Sequence, residues 1–305
     1  MAAGGWLLYD VLVPGWRCDD VDPAALAAAS VSHGEYLARA AGCASCHTDE
    51  ENHGGYLAGG RALKTPFGTF YAPNITPDPE TGIGQWGVGD FLCAMRHGIG
   101  PHGNHYYPAF PYTSYTRMRD ADLVAIYAYL TTVPPQHRPN RSHGLPWYLA
   151  PRLAAWGWKT LFFDSGQFRP DEDRSAAWNR GAYLALAVGH CGECHTPRGW
   201  LGQPEPSKFL AGTKSGPDGK VVPNITPSRE TGIGRWTADD LGYFLKNGMT
   251  PEGDFAGGAM SEVIDNSLSH LNDRDVAALV TYLREVPAVD HAVRIAKRER
   301  DEFDF

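Results

Sequence analysis

The feature that most constrains this chain is a pair of short cysteine runs, Cys43-Ala-Ser-Cys46-His47 and Cys191-Gly-Glu-Cys194-His195. Two thiols separated by two residues share one helical turn, where each can add to a vinyl group of a porphyrin. The histidine directly behind them then falls beneath the central iron. A zinc knuckle or a dithiol redox pair uses similar residues. Zinc, however, needs the two runs to pair or a nearby histidine pair, and a redox motif follows a strand. Each run here follows a helix-like stretch, and the adjacent histidine occurs twice. The spacing predicts two covalently bound haem c groups, with His47 and His195 as proximal iron ligands.

The runs belong to a longer internal repeat. Gly34-Glu-Tyr36-Leu37-Ala38 recurs as Gly181-Ala-Tyr183-Leu184-Ala185, and His190 is a one-residue insertion ahead of the second run. Pro73-Asn74-Ile75-Thr76-Pro77 recurs as Pro223-Asn224-Ile225-Thr226-Pro227, 150 positions on. Glu80-Thr-Gly-Ile-Gly84-Gln-Trp86 recurs as Glu230-Thr-Gly-Ile-Gly234-Arg-Trp236 at the same offset. Helical periodicity closes each half, over Asp120 to Thr131 and Asp273 to Arg284, with Asp120 and Asp273 as expected N-caps. The expected fold is all-α: two tandem class I cytochrome c-like domains at 27–135 and 174–290. An ordered segment over 136–173 joins them. Trp147, Trp156, Trp158, Phe162, Phe163 and Phe168 crowd that segment, unlike a polar tether. A helix near Pro151 to Phe163 is expected to pack between the domains; the alternative is an exposed docking surface.

Composition fits this picture. With 35 Gly and 23 Pro in 305 residues, much of the chain is ordered loop, as expected where it wraps a flat cofactor. The formal charge of −8 argues against a nucleic-acid partner and for one presenting Lys and Arg. No apolar run approaches the ~18 residues of a membrane span. The start, Met1 to Trp16, has one apolar stretch at Trp6-Leu-Leu-Tyr, interrupted by Asp10, and no basic region. The expectation is that the true signal or anchor was removed, or that this stretch is its remnant. Cys18 and Cys93 are left over, as a disulfide in an oxidising compartment or as free thiols. The charged tail after Val286 is expected on the surface.

A six-coordinate electron-transfer haem needs a ligand opposite histidine. In the second half Gly257-Gly-Ala-Met260 supplies Met260; Met249 lies too close to a helix end. The offset sets Phe110 opposite Met260, within Tyr107-Pro-Ala-Phe110-Pro-Tyr112, and phenylalanine cannot bind iron. Three readings stand for the first half: a re-routed loop bringing Met118 over the iron, His102 or His105 as ligand, or a five-coordinate haem. Met95, opposite Leu245, is expected in the core, and His97, opposite Asn247, on the surface. The carbonyls of Pro73 and Pro223 are candidates to orient the proximal histidines. Arg61, Asn74, Thr76 and Trp86, with Asn224, Thr226 and Trp236, are candidates to hold the propionates.

Thr65-Pro-Phe-Gly-Thr69, Asn74-Ile-Thr-Pro-Asp78 and Thr81-Gly-Ile-Gly84 resemble the first haem domain of the cytochrome c subunits of bacterial membrane-bound alcohol and gluconate dehydrogenases. Trp178-Asn-Arg-Gly-Ala-Tyr183 and His190-Cys-Gly-Glu-Cys-His-Thr-Pro-Arg198 are similar to their second domain. Cytochrome subunits of periplasmic molybdenum hydroxylases look alike too. The resemblance covers about residues 30 to 290. It departs in haem number, commonly three in that family, and in Phe110 where the family has methionine. It implies a periplasmic dihaem relay from a quinoprotein, flavoprotein or molybdenum dehydrogenase toward quinone or a terminal acceptor, with membrane association through the N-terminus. A dihaem oxidoreductase of peroxidase or thiosulfate type, working at an open first haem, is the alternative. A subunit whose haems only assist assembly is a third. No activated serine, repeated carboxylate pair or phosphate loop points to acid–base chemistry.

Overall fold

The computed structural model describes residues 23–293. The readings of Met1 to Trp16, of Cys18 and of the tail over 294–305 lie outside the described residues.

Each half begins with a helix that ends just before its cysteine run. In the first, α1 (Pro23–Ala27) leads to α2 (Val31–Ala40), which Ser30 caps by accepting from the His33 amide. The cysteine run itself forms α3 (Cys43–His47). A short hairpin follows, β1 (Ala62–Thr65) paired antiparallel with β2 (Gly68–Tyr71), then α4 (Val88–His97), α5 (Tyr112–Tyr115) and α6 (Asp120–Leu130). The joining segment carries α7 (Arg152–Phe162). The second half has α8 (Ala176–Tyr183), α9 (Gly192–His195), α10 (Ala238–Asn247), α11 (Ala259–Asn266) and α12 (Asp273–Glu285).

The hairpin departs from the all-α expectation. Threonine and aromatic side chains favour the extended backbone of β2, and Gly68 turns the chain at φ 128°. The second half keeps only a single bridge, Thr213 to Val222, in the matching region. The cap residues also differ from expectation. Arg119 and Asn272 occupy the N-cap positions, so Asp120 and Asp273 are the first helical residues. There their charge meets the helix dipole. Asn272 caps α12 through its side chain, while Arg119 makes no side-chain cap.

The repeated glycines have a packing cause. A Cβ on Gly34 would sit 1.9 Å from the Ala125 carbonyl oxygen, and one on Gly181 2.0 Å from that of Ala278. Helices α2 and α6, and equally α8 and α12, therefore cross in backbone contact. His190 is accommodated just upstream, where α8 runs into a π-helical turn over Leu184–Val188. A π turn is the usual way a helix absorbs one extra residue.

The halves grip each other reciprocally. Tyr36 of α2 donates to Asp275 of α12 at 2.6 Å, and Tyr183 of α8 donates to Asp122 of α6. The same two hydroxyls accept from the Asn272 and Arg119 amides. Arg180 adds two bonds to Asp275 and His33 one to Asp122. Such a swap is the signature of a near-two-fold relation. One continuous buried cluster runs through both halves. Helix α7 packs mainly on the first half: Lys159 donates to the His97 and Gly98 carbonyls, and Phe163 meets Tyr112 edge-on. Trp158 reaches across to the Leu201 carbonyl of the second half. Trp147 and Tyr148 do not follow the inward packing expected of this segment; they stand 85% and 60% exposed.

Candidate functional site

The proximal side is built twice. Gly42, at φ 66°, starts α3 and puts Cys43 and Cys46 on one turn with His47 behind them. All four motif cysteines are free. His47 Nδ1 donates to the Pro73 carbonyl at 2.7 Å, and His195 Nδ1 to that of Pro223 at 2.8 Å. These are the carbonyls expected by position. Committing Nδ1 in this way fixes the tautomer and leaves Nε2 as the ligating nitrogen. Burial lowers the pKa of both imidazoles, which favours the neutral form that binds metal. It also holds the thiols protonated, pushing Cys43 up to about 12 and Cys191 and Cys194 to about 11.

A backbone strap braces each histidine. The Gly59 and Gly212 amides donate to the His47 and His195 carbonyls at 2.7 Å. Thr48 and Thr196 hydroxyls accept from the amides of Leu57 and Leu210. Both leucines are fully buried and left-handed, at φ 59° and 60°. A non-glycine residue in that region is costly, and its recurrence at equivalent points marks a conformation the surroundings impose.

The side chains of the Asn-Ile-Thr loops bond to the protein itself. Asn74 donates to the Thr81 hydroxyl and the Gln136 carbonyl and accepts from Thr76 twice. Asn224 makes the same four bonds, to Thr231, Val289 and Thr226. Both amide groups are spent on the loop, so Asn74, Thr76, Asn224 and Thr226 hold protein to protein. Arg61 is also committed, to the Ser45 carbonyl and, across the halves, to Glu262. Trp86 and Trp236 lie half-buried against the core.

The distal sides differ. The offset of 150 holds in three dimensions up to this loop: Ile99 bridges His105 as Met249 bridges Phe255. Met260 enters near the start of α11, partly buried against the core. Phe110 takes the equivalent place, its ring against Tyr106, Tyr112 and Tyr115. Met118 takes the place of Leu271, not of Met260. Arg96 donates to the Thr116 and Met118 carbonyls, just as Lys246 donates to those of Ser269 and Leu271. Met118 is fully buried in the core. His102 is exposed. His105 is buried beneath α7, its Nδ1 3.1 Å from Lys159 Nζ, and its Nε2 has no hydrogen-bond partner. Its counterpart Phe255 is 73% exposed, so this position faces outward from the repeat. Met95 is buried in α4 as expected, and His97 is half-buried. Cys93 is buried and disulfide-bonded.

The two cysteine runs meet at the junction of the halves, which the sequence reading missed. His190 Nε2 lies 3.3 Å from the Ala41 carbonyl, to which Tyr115 also donates, and the two rings meet edge-on. Ser267 donates to the Ala40 carbonyl. Glu193, inside the second run, accepts from Thr113 and Ser114 and pairs with Arg198. The one available signal was the insertion of His190.

The donor set fits covalently held haem: paired free thiols, an oriented neutral histidine and an apolar surround, twice over. Among the described residues no group of three or more His, Cys, Asp or Glu is arranged to hold a metal ion. No described helix is long and apolar enough to cross a membrane. The cytochrome c family pattern matches residues 31–134. A dihaem c-type cytochrome of Cereibacter sphaeroides is 41% identical over 95% of both chains. The fructose dehydrogenase cytochrome subunit of Gluconobacter japonicus is 43% identical over 87% of this chain, and the gluconate 2-dehydrogenase cytochrome c subunit of Pantoea cypripedii 39% identical over 86%. This chain spans 54% and 60% of those two longer relatives. With two haem c groups attached through its paired cysteines, the chain belongs to the dihaem c-type cytochromes.

Proposed function

We propose that this chain relays electrons from a dehydrogenase to a downstream acceptor through two tandem class I cytochrome c-like domains, 27–135 and 174–290, joined by the 136–173 segment. The observation that carries the reading is the meeting of the two attachment runs at the junction of the halves. It supports a short route from one haem to the other within a rigid frame. When bound, the haems supply one-electron chemistry. The protein's own part is to orient His47 and His195 through the Pro73 and Pro223 carbonyls, exclude water with the shared core, and present Met260 to the second haem. Trp86 and Trp236 flank the two pockets. The names of the relatives support a sugar, alcohol or similar dehydrogenase as donor, and attachment of haem c supports a periplasmic place in a respiratory chain. Membrane association through the N-terminus belongs to the same proposal.

The test is stopped-flow mixing of the haem-loaded chain with the dehydrogenase that copurifies from its native membrane, plus that enzyme's substrate. Both haems become reduced within the enzyme's turnover time, more slowly at high salt because acidic and basic faces steer the encounter. Reduction of neither haem contradicts the proposal.

A further inference from the structure

We propose that the first haem takes no sixth ligand from this chain, and that the pocket under Phe110 admits a neutral diatomic ligand, such as carbon monoxide or nitric oxide, to the ferrous iron. The inference rests on the reading that Cys43, Cys46 and His47 carry a haem as their counterparts do.

Each protein candidate is placed elsewhere. Phe110 stands where Met260 stands, and a phenyl ring offers iron no lone pair. The chain cannot bring Met118 forward, because Arg96 ties the carbonyls of Thr116 and Met118 to α4. That tie repeats the one Lys246 makes in the second half, where the residue is an inert leucine, Leu271. The second half spends its three additional residues before this anchor on the longer α11 and a turn over Leu268–His270. His105 sits at an outward position and is pinned under α7 by Lys159. Tyr112 presses its ring on Gly98, whose Cβ would lie 2.4 Å from it, as Ile264 presses on Gly248. Tyr115 uses its hydroxyl on the Ala41 carbonyl.

The pocket's chemistry selects the ligand class. Phe110 is surrounded by the rings of Tyr106, Tyr112 and Tyr115, at 5.9, 6.4 and 5.8 Å. Stabilising a bound anion or cleaving a peroxide takes distal hydrogen-bond donors or an acid–base group. The wall is aromatic, and the Tyr112 hydroxyl, buried without a hydrogen-bond partner, is a donor it offers, which suits a small neutral ligand that accepts a weak hydrogen bond. The Phe110 ring must move aside for entry, so binding is slow.

The experiment uses the full chain matured with both haems, counted first by pyridine haemochrome. Dithionite-reduced protein is titrated with carbon monoxide while the Soret band is followed. The expected result is one equivalent bound per chain, half the haem shifting, with a high-spin signal from that haem in the oxidised state. Phe110→Met abolishes carbon monoxide binding and adds a second methionine–iron charge-transfer band, whereas Met118→Leu changes neither. Two low-spin haems with no carbon monoxide uptake overturn the proposal, as does loss of a methionine–iron band in Met118→Leu. A count of one haem per chain overturns instead the reading on which the proposal rests.

Discussion

The two halves of this cytochrome share nearly every bond on the proximal side and part company on the distal side. The histidine-to-proline-carbonyl bonds, the threonine-braced left-handed leucines and the Asn-Thr loops recur one for one. Beyond the Ile99–His105 bridge, the first half loses three residues, replaces methionine by Phe110 and gains α7 as a cover. The contrast shows what each part of the unit is for. Attachment and orientation tolerate little change, while the distal loop sets reactivity and potential. Methionine opposite histidine raises the potential, so an iron lacking it is the easier to keep oxidised.

Replacing cysteines tests the shared side most severely. Cys43→Ser with Cys46→Ser removes one haem and halves the pyridine haemochrome absorbance, and Cys191→Ser with Cys194→Ser does the same. An unchanged count would break the equivalence at once. Next in size, Met260→Phe makes the second half resemble the first: the methionine–iron band disappears, and visible spectra show a second high-spin haem. Asn74→Ala and Asn224→Ala should each cost about 3 kcal/mol in urea unfolding of the haem-loaded chain, because buried partners lose their bonds. Equal losses with unchanged haem spectra would mark both as loop-holding residues. Tyr36→Phe and Tyr183→Phe should each cost about 1.5–3 kcal/mol by the same measurement, since each hydroxyl serves a carboxylate across the junction. A large inequality would break the near-two-fold relation.

The smallest effect belongs to α7, which has no counterpart among the described residues of the second half. Burial lowers the Lys159 pKa to about 7, while the unfolded chain keeps an ordinary lysine. Above pH 7 the folded state therefore sheds a proton that the unfolded state retains, and stability rises with pH toward 10. The neighbouring His105, lowered to about 4, stays neutral throughout this window. Thermal melts of wild type from pH 7 to 9 should show this rise, and Lys159→Met should flatten it.

Much of the site was legible because its chemistry is local. The cysteine runs, the proximal histidines and their proline carbonyls follow from short spacing and a repeat. What was not legible depends on partners far along the chain. Asn74 and Asn224 recur in loops beside a cofactor, and sequence alone does not tell a loop-holding amide from a cofactor-holding one. The Tyr36–Asp275 bond joins residues on opposite halves, and neither tyrosine carries a local mark of it. Met118 looked available because the distal loop is short. Its fate is set by Arg96, which ties the backbone down two residues before α6. Trp147 was expected inside because aromatic residues usually bury, yet its turn projects from the joining segment.

The central claim, an electron relay built from two unequal haems on one repeated scaffold, is met most directly by a spectroelectrochemical titration of the haem-loaded chain. Two reversible one-electron steps at distinct potentials are expected, the higher lowered selectively by Met260→Phe. A single step in which two low-spin haems titrate together would contradict it.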